Sequence, residues 1–361
     1  KKFFRYSRAI REKVMRYLFL FLPLLIFAQE EMYTRTQVLM GTFVHISLPQ
    51  KDKQEITRSF ELLKRIEDSL STYDESATLA KLNKNHQIKY DPYLAEALTL
   101  SRSYYHETNG YFDVTIGSIS KKLYHFGEEK TYSPSKQALR SAHLDIHGIS
   151  IDNKHIITDK NITIDLGGMG KGYGADKVAQ YLHEQNITEG VIALSGDIRC
   201  LNRCEVYLQS PYSEQTFAKI KSQKSHLSIS TSGTYRRFAT TKEEHHLINP
   251  KTALQGREFV SVSLFTTANN AKIDAYATAL SVMSQTEALA FLKNREKIGF
   301  VLVDKEGKIL YGNLTDLVDI EWLDYKDIPT SPSINKNNST KPESATSLIH
   351  PDTKSPKVIA K

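Results

Sequence analysis

Strand-like and helical periodicities interleave along the 361 residues of this chain, and together they predict a mixed α and β fold. Three observations carry that prediction. Ile162-Thr163-Ile164-Asp165-Leu166 alternates as a strand does, breaks into Gly167-Gly168-Met169-Gly170-Lys171-Gly172-Tyr173-Gly174, and is followed by Val178, Tyr181 and Leu182 at helical spacing. Ile56, Phe60, Leu63, Ile66 and Leu70 line one face of an earlier helix. Short apolar runs at Gly190–Leu194, Phe259–Phe265 and Gly299–Asp304 have the length and β-branched content of strands.

In chain order, Lys1 to Arg16 holds seven Lys and Arg against one Glu, and Tyr17 to Ala28 is an apolar run broken by Pro23. A basic start, a dozen apolar residues and a small Ala28 form the pattern of an export signal, with an uncleaved membrane anchor as the alternative. No cysteine follows the run, which excludes a lipoprotein anchor. Val38–Leu48 reads as a strand entered through Gly41. Asp91 and Pro92 supply the N-cap and first turn of a helix that Asn109-Gly110 ends, and Ser120–Ser135 reads as a loop. Further strands are expected within 146–164, 204–208 and 227–231, then a small-residue helix over 271–283 and a capping box, Ser284 to Glu287, opening another. Lys305-Glu306-Gly307 turns a closing hairpin. From about Ile328 the chain is Pro, Ser, Thr, Asn and Lys, a composition that predicts a disordered tail over 328–361.

The net charge of +7 comes from 48 Lys and Arg against 41 Asp and Glu. The segment up to Arg16 contributes +6 and Lys326–Lys361 +3, so the body carries about −2. A body without excess positive charge argues against nucleic acid as a partner. Cys200 and Cys204, in C-x₃-C spacing, suit either a local disulfide or two reduced thiols.

The glycine stretch suits an anion, because helix N-terminal N–H groups and Lys171 converge there and the glycines allow positive φ and close approach. It is not a P-loop, since Asp165 and Gly172 stand where that motif needs Gly and Ser or Thr. Gly170, Gly172 and Ala175 fit a dinucleotide fingerprint only in isolation, without the early βαβ placement. Asp274 and Thr278, four apart on an expected helix, offer hard oxygen ligands on one face, as magnesium prefers, or a solvated acid and a core threonine. His245 and His246 precede Asn249-Pro250 and offer a base near neutral pH, or polar surface.

Taken together, Met40-Gly41-Thr42, Ser71-Thr72-Tyr73 with Leu82-Asn83, Gly110–Thr115, the stretch from Ile164 to Asp176, Ser195-Gly196-Asp197, Ser230–Tyr235, His245–Pro250 and Asp274–Thr278 resemble, in register, the motif series of the ApbE-type FAD:protein FMN transferases. The resemblance covers about Val38 to Tyr311 and implies an α+β, mixed-sheet, T-fold-like catalytic domain over 29–327 with FAD in a central cleft. It implies that FMN passes from FAD, with Mg²⁺, to a threonine of an acceptor flavoprotein, releasing AMP; the export segment adds the expectation that this happens in the periplasm or at the periplasmic face of the inner membrane. By matching positions, Met40, Tyr73, Tyr111, Phe112, Asp113, Asp165, Lys171 and Leu247 would contact the flavin nucleotide, and the Gly168 carbonyl, Asp274 and Thr278 would hold the metal. Lys171 would stabilise the leaving group and His246 would take the hydroxyl proton, with Asp165 as the alternative base. Asn249 stands where the family motif usually has Asp. Transfer to a protein, hydrolysis of FAD to FMN and AMP, and flavin binding without turnover share this residue set.

Overall fold

The computed structural model describes residues 31–235 and 237–323, and the backbone of 358–360. The export or anchor segment at 1–28 and most of the expected tail lie outside the described residues. The chain enters through a hairpin, β1 (Met32–Leu39) and β2 (Thr42–Pro49), whose turn is Met40-Gly41 with both φ positive, at 52° and 69°. A two-residue turn with both φ positive matches the twist of its flanking strands. The single strand expected over Val38–Leu48 is therefore two, because the glycine reverses the chain instead of opening a strand.

Helix α1 (Lys53–Leu70) buries the expected stripe, and α2 (Thr78–Asn85) leads to β3 (Gln87–Lys89). Helix α3 (Pro92–Glu107) starts where Asp91 accepts a bond from the Leu94 N–H and ends before Asn109 and Gly110, both at positive φ. After α4 (Gly117–Ser120) and α5 (Lys136–Arg140) come β4 (Ile149–Ile151) and β5 (His155–Thr158), which join β3 in a three-stranded sheet. Helix α6 (Gly170–Glu184) then precedes β6 (Val191–Leu194), β7 (Asp197–Cys200), β8 (Glu205–Gln209), β9 (Thr216–Ser222) and β10 (Ser228–Gly233). The pair β11 (Ile248–Asn249) and β12 (Leu254–Gln255) leads to β13 (Phe259–Thr266), α7 (Asn270–Leu280) and α8 (Gln285–Lys293), which the Ser284–Glu287 capping box opens as expected. Strands β14 (Gly299–Asp304), β15 (Ile309–Gly312) and β16 (Val318–Trp322) follow. Residues Val358–Ala360 form β17, parallel to β8, so this part of the expected disordered tail is a strand.

The organising layer is an eight-stranded antiparallel sheet in the order β1-β2-β6-β7-β10-β13-β14-β15. Successive residues of its strands feed two different cores, as a period of two requires. Ile192, Leu194, Val262, Leu264, Phe300 and Leu302 join the core shared with α1, α6 and α7, whereas Ala193, Ile198, Ile229, Phe265, Val301 and Val303 face Val206, Leu208, Phe217 and Ile220 of the four-stranded sheet β16-β9-β8-β17. All six residues of β14 are buried because both faces are covered. Cys200 and Cys204 form a disulfide joining the end of β7 to the start of β8.

Candidate active site

The segment Ile162–Leu166 is extended and buries Ile162, Ile164 and Leu166, yet it is not the strand its alternation suggests. Its only ladder contact is an isolated bridge between Thr163 and Ile116, and Asp165 N–H donates to the Val114 carbonyl at 2.8 Å. The carboxamide of Asn83 takes the place of a neighbouring strand: Nδ2 donates to the Ile164 carbonyl at 2.9 Å and Oδ1 accepts from the Ile164 N–H at 2.8 Å. An amide side chain carries the same donor and acceptor as a peptide, so one residue satisfies the buried backbone.

The glycines that follow act differently from the sequence expectation. None of Gly167, Gly168, Gly170, Gly172 or Gly174 has a positive φ, and from Gly170 onward they belong to α6. Close approach is their use. A methyl at Gly172 would lie 2.7 Å from the Asn270 carbonyl oxygen, one at Gly174 would lie 2.9 Å from Met40 Sδ, and one at Gly168 would meet Thr278 Oγ1 at 3.0 Å. The missing side chains let α7 and the β1–β2 turn sit against α6.

That closeness gathers the charged groups. Lys171, in the first turn of α6, places Nζ 2.8 Å from Asp197 Oδ2 and 3.4 Å from Asp274 Oδ2. The Gly172 N–H donates to the same Asp274 oxygen at 3.1 Å, and Ser230 donates to Asp197 Oδ1 at 2.6 Å. Burial, with Asp197 adding repulsion, pushes the Asp274 carboxyl up to about 7 against the pull of Lys171. Burial also opposes the Lys171 charge, but Asp197 and Asp274 more than offset it and raise that pKa. One turn beyond Asp274 on α7, the Thr278 hydroxyl stands 3.3 Å from the Gly168 carbonyl oxygen.

Asp274 and Thr278, one turn apart on α7, thus both meet the segment Gly168–Gly172, Thr278 at the Gly168 carbonyl and Asp274 at Lys171 and the Gly172 N–H, which gives one carboxylate and two neutral oxygens beside a helix N-terminus. Among the described residues no group of three or more His, Cys, Asp or Glu could hold a metal, so an all-acid cage is not available. The oxygen set at Gly168 fits magnesium, a hard ion that takes few protein ligands and keeps positions for water and phosphate oxygens.

A second group of residues lies on loops. Asp165 Oδ2 accepts from Ser120 Oγ at 2.7 Å and lies 3.8 Å from Lys121 Nζ, while Oδ1 accepts from the Gly167 N–H at 2.9 Å. Against a burial that would raise it, Lys121 first and then Ser120 and Gly167 hold the Asp165 carboxyl below its ordinary range. Lys121 Nζ donates to the Tyr73 hydroxyl at 2.6 Å, and a methyl at Gly127, with φ 87°, would collide with the Tyr73 ring. Tyr73 is half exposed, flat on that glycine. Met40 gives its N–H to Glu67 at 2.6 Å, and Arg237 donates to the neighbouring Gly41 carbonyl at 3.4 Å.

His246 belongs to the same rim. Its Nδ1 lies 3.2 Å from the Arg237 carbonyl oxygen, which can only accept, so Nδ1 carries the proton and Nε2 the lone pair. Burial first, then Arg237, His245 and Lys171, push its pKa down to about 4, so the ring is neutral near pH 7. His245 is spent on structure: Nε2 donates to the Gly256 carbonyl at 2.8 Å and Nδ1 accepts from the Leu247 N–H. Asn249 brackets Val282 O and the Lys251 N–H at 3.0 and 2.9 Å, and the first of these needs a donor that aspartate lacks.

Of the remaining residues singled out from sequence, Phe112 is buried and its ring would lie 3.3 Å from a methyl at Gly168, and Leu247 is buried. Tyr111 donates to Glu287 at 2.5 Å and has the Lys251 ammonium 3.7 Å from its ring centre. Asp113 turns inward, accepting from the N–H and hydroxyl of Thr115. Concavities of about 330 and 400 Å³ flank α3 and the outer face of α6, and the residues matched to FAD line neither. The sequence reading missed Lys121 and Arg237, which lie in loops without period, and gave Asp197 no role although it opens the buried strand β7.

The sequence model described as the ApbE family matches residues 40–302. The chain belongs to the ApbE family. FAD:protein FMN transferase of Klebsiella pneumoniae (strain 342) is 24% identical over 294 residues, covering 78% of this chain and 92% of that protein. The Escherichia coli K12 protein of the same name is 27% identical over 298 residues, covering 74% and 83%. Among solved structures, the flavin transferase ApbE from Vibrio cholerae superposes with a TM-score of 0.66 at 22% identity over 82% of this chain and 98% of its own. The ApbE protein of Thermotoga maritima gives 0.69 at 22% identity, covering 77% and 96%. The mixed α+β architecture with its antiparallel sheets is the ApbE fold.

Proposed function

We propose that this ApbE-family transferase moves FMN from FAD to a threonine hydroxyl of an acceptor protein, with magnesium, and releases AMP. The observation that carries the reading is the meeting of Lys171, Asp274, Thr278 and the Gly168 carbonyl at the start of α6. The names of the relatives, FAD:protein FMN transferase, support it.

In the reaction the threonine oxygen forms a bond to the flavin-side phosphorus, the bond from that phosphorus to the bridging oxygen breaks, and AMP leaves with the electron pair. Magnesium, when bound, would neutralise charge on the two phosphates. Asp274, Thr278 and the Gly168 carbonyl would hold it. Lys171 presents a positive charge that Asp197 and Asp274 keep in place, next to helix N–H groups, and so favours the anionic leaving group. His246 accepts the hydroxyl proton at Nε2, the nitrogen its bond to Arg237 leaves unprotonated. Asp165 is the weaker base because Ser120, Lys121 and Gly167 already stabilise its anion. Tyr73, held by Lys121 over Gly127, offers an aromatic face to the flavin ring. An export signal or anchor at 1–28 would deliver the enzyme to the periplasmic face of a membrane.

The test is incubation of the protein with FAD, Mg²⁺ and a fragment of a flavoprotein that carries phosphoester-linked FMN. Flavin fluorescence that stays with the denatured fragment is the expected result. Free FMN without labelled fragment would replace transfer by hydrolysis, and unchanged FAD would reduce the protein to a flavin binder.

A further inference from the structure

Asp176, one residue of the glycine-rich stretch that the reaction itself does not use, is placed to do something specific. It lies on α6 a turn and a half beyond Lys171, and its carboxylate caps α7: Oδ1 accepts from the Asn270 N–H and Oδ2 from the Ala271 N–H, both at 2.9 Å. Those are the first two N–H groups of the helix that carries Asp274 and Thr278. Helix N-termini leave such donors without partners, and a carboxylate there also meets the positive end of the dipole. Arg199 of β7 lies beside the cap, Nε 3.7 Å from Asp176 Oδ1, and its Nη1 donates to the Ser228 hydroxyl and, at 2.5 Å, to the carbonyl of Ala268 just before α7. Asn270, fully buried, adds Nδ2 bonds to the carbonyls of Ile198 at 2.7 Å and Ile229 at 2.9 Å. The start of α7 is therefore fixed to α6, β7 and β10 at once.

We propose that Asp176 is a positioning residue for the metal ligands: by capping α7 from α6, with Arg199 holding the cap, it sets Asp274 and Thr278 at the right distance from the Gly168 carbonyl. The physical reason is the narrowness of magnesium coordination, which demands near-octahedral oxygens at about 2.0–2.1 Å. Two ligands ride on α7 and the third precedes α6, so the ligand set is only as well ordered as the α6–α7 junction. Gly172 brings the backbones together and the Asp176 cap fixes the rotation and height of α7. The inference rests on the proposed metal site.

The experiment measures Mn²⁺ binding by electron paramagnetic resonance, with Mg²⁺ competition, in the full chain with FAD present, alongside the FAD dissociation constant. Asp176→Asn keeps the shape and one acceptor but loses the charge paired with Arg199. It is expected to weaken Mn²⁺ binding about 10- to 100-fold, the usual cost of removing a ligand's supporting partner, with FAD affinity within about twofold of the parent. Asp176→Glu should recover part of the loss. If Asp176→Asn does not fold, Arg199→Lys, which keeps a charge and gives up the fork to Ser228 and Ala268, is expected to weaken Mn²⁺ binding by a smaller factor. Parental Mn²⁺ affinity in a folded Asp176→Asn, or in Arg199→Lys when it alone folds, overturns the positioning role. Asp274→Ala serves as the reference: if it too binds Mn²⁺ as the parent does, the metal site itself is wrong, whereas loss there with no change at Asp176 removes only this inference.

Discussion

The two sides of the site are built by opposite means. On the side proposed to hold the phosphates, Lys171, Asp274 and Thr278 come from two helices whose backbones touch at Gly172, with Gly168 in the turn before the first; Asp197 and Asp274 are buried there, and the half-buried Lys171 is bonded to them. On the side proposed for the flavin, Met40, Tyr73, Lys121, Arg237 and His246 come from a hairpin turn and loops, and several are half or wholly exposed. The difference matches what each side is asked to do. A metal and a pyrophosphate need oxygens and charges fixed to fractions of an ångström, which packed helices supply. A flavin ring needs an aromatic face and room to enter, which a loop residue lying on a glycine would provide.

If that contrast is right, substitutions on the helical side should cost rate steeply and those on the loop side should mostly cost affinity. The largest effect is expected from Asp274→Ala, which removes the only anionic ligand proposed for magnesium. Transfer should fall about 10³-fold, several kcal/mol in the barrier, and not recover at saturating Mg²⁺. A magnesium titration with an unshifted midpoint would break the comparison at its strongest point.

His246→Gln tests the boundary between the two sides, since a loop residue is given a chemical task. A single-turnover assay should show transfer lowered about 10²-fold, the low end for general bases because a group with a pKa of about 4 is a weak one, with FAD binding retained. The pKa also carries a stability signature. Between pH 6.5 and about 4 the unfolded chain binds a proton at this position and the folded chain does not, so stability declines as pH falls through that window. Urea midpoints across the window should flatten in His246→Gln.

Gly172→Ala should act through packing. Its methyl would lie 2.7 Å from Asn270 O and 2.8 Å from Ala271 N, both backbone atoms, so α7 must move. A loss of about 1–3 kcal/mol in urea denaturation is expected, together with a higher magnesium requirement. A variant as stable as the parent would show that the helices do not need their present separation. Lys121→Met is the mild case. It frees Tyr73 and removes a cation 3.9 Å from its ring centre, and FAD affinity measured by fluorescence should drop about 3- to 10-fold with little change in the saturated rate. A loss confined to the rate would move Lys121 to the chemical side of the site.

What was readable in the sequence is what is local. The helical stripe of α1, the Asp91 cap, the capping box at Ser284 and the four-residue spacing of Asp274 and Thr278 depend on neighbours within a turn or two, and each is found in the structure. The motif series placed Lys171 and Gly168 with them. By contrast, the alternation of Ile162–Leu166 correctly named the buried side chains and wrongly named a strand, since what pairs with that backbone is Asn83, some eighty residues away. The glycines were legible as a requirement for space or unusual φ, and only the position of α7 decided for space. Local periodicity and capping are written in adjacent residues, so the sequence alone determined the main helices, many of the strands and the family. Whether a buried backbone group meets a strand or a carboxamide, and whether a lysine, two aspartates and a glycine carbonyl share one point, depends on contacts between distant segments, and the packing of α6 against α7 decided it.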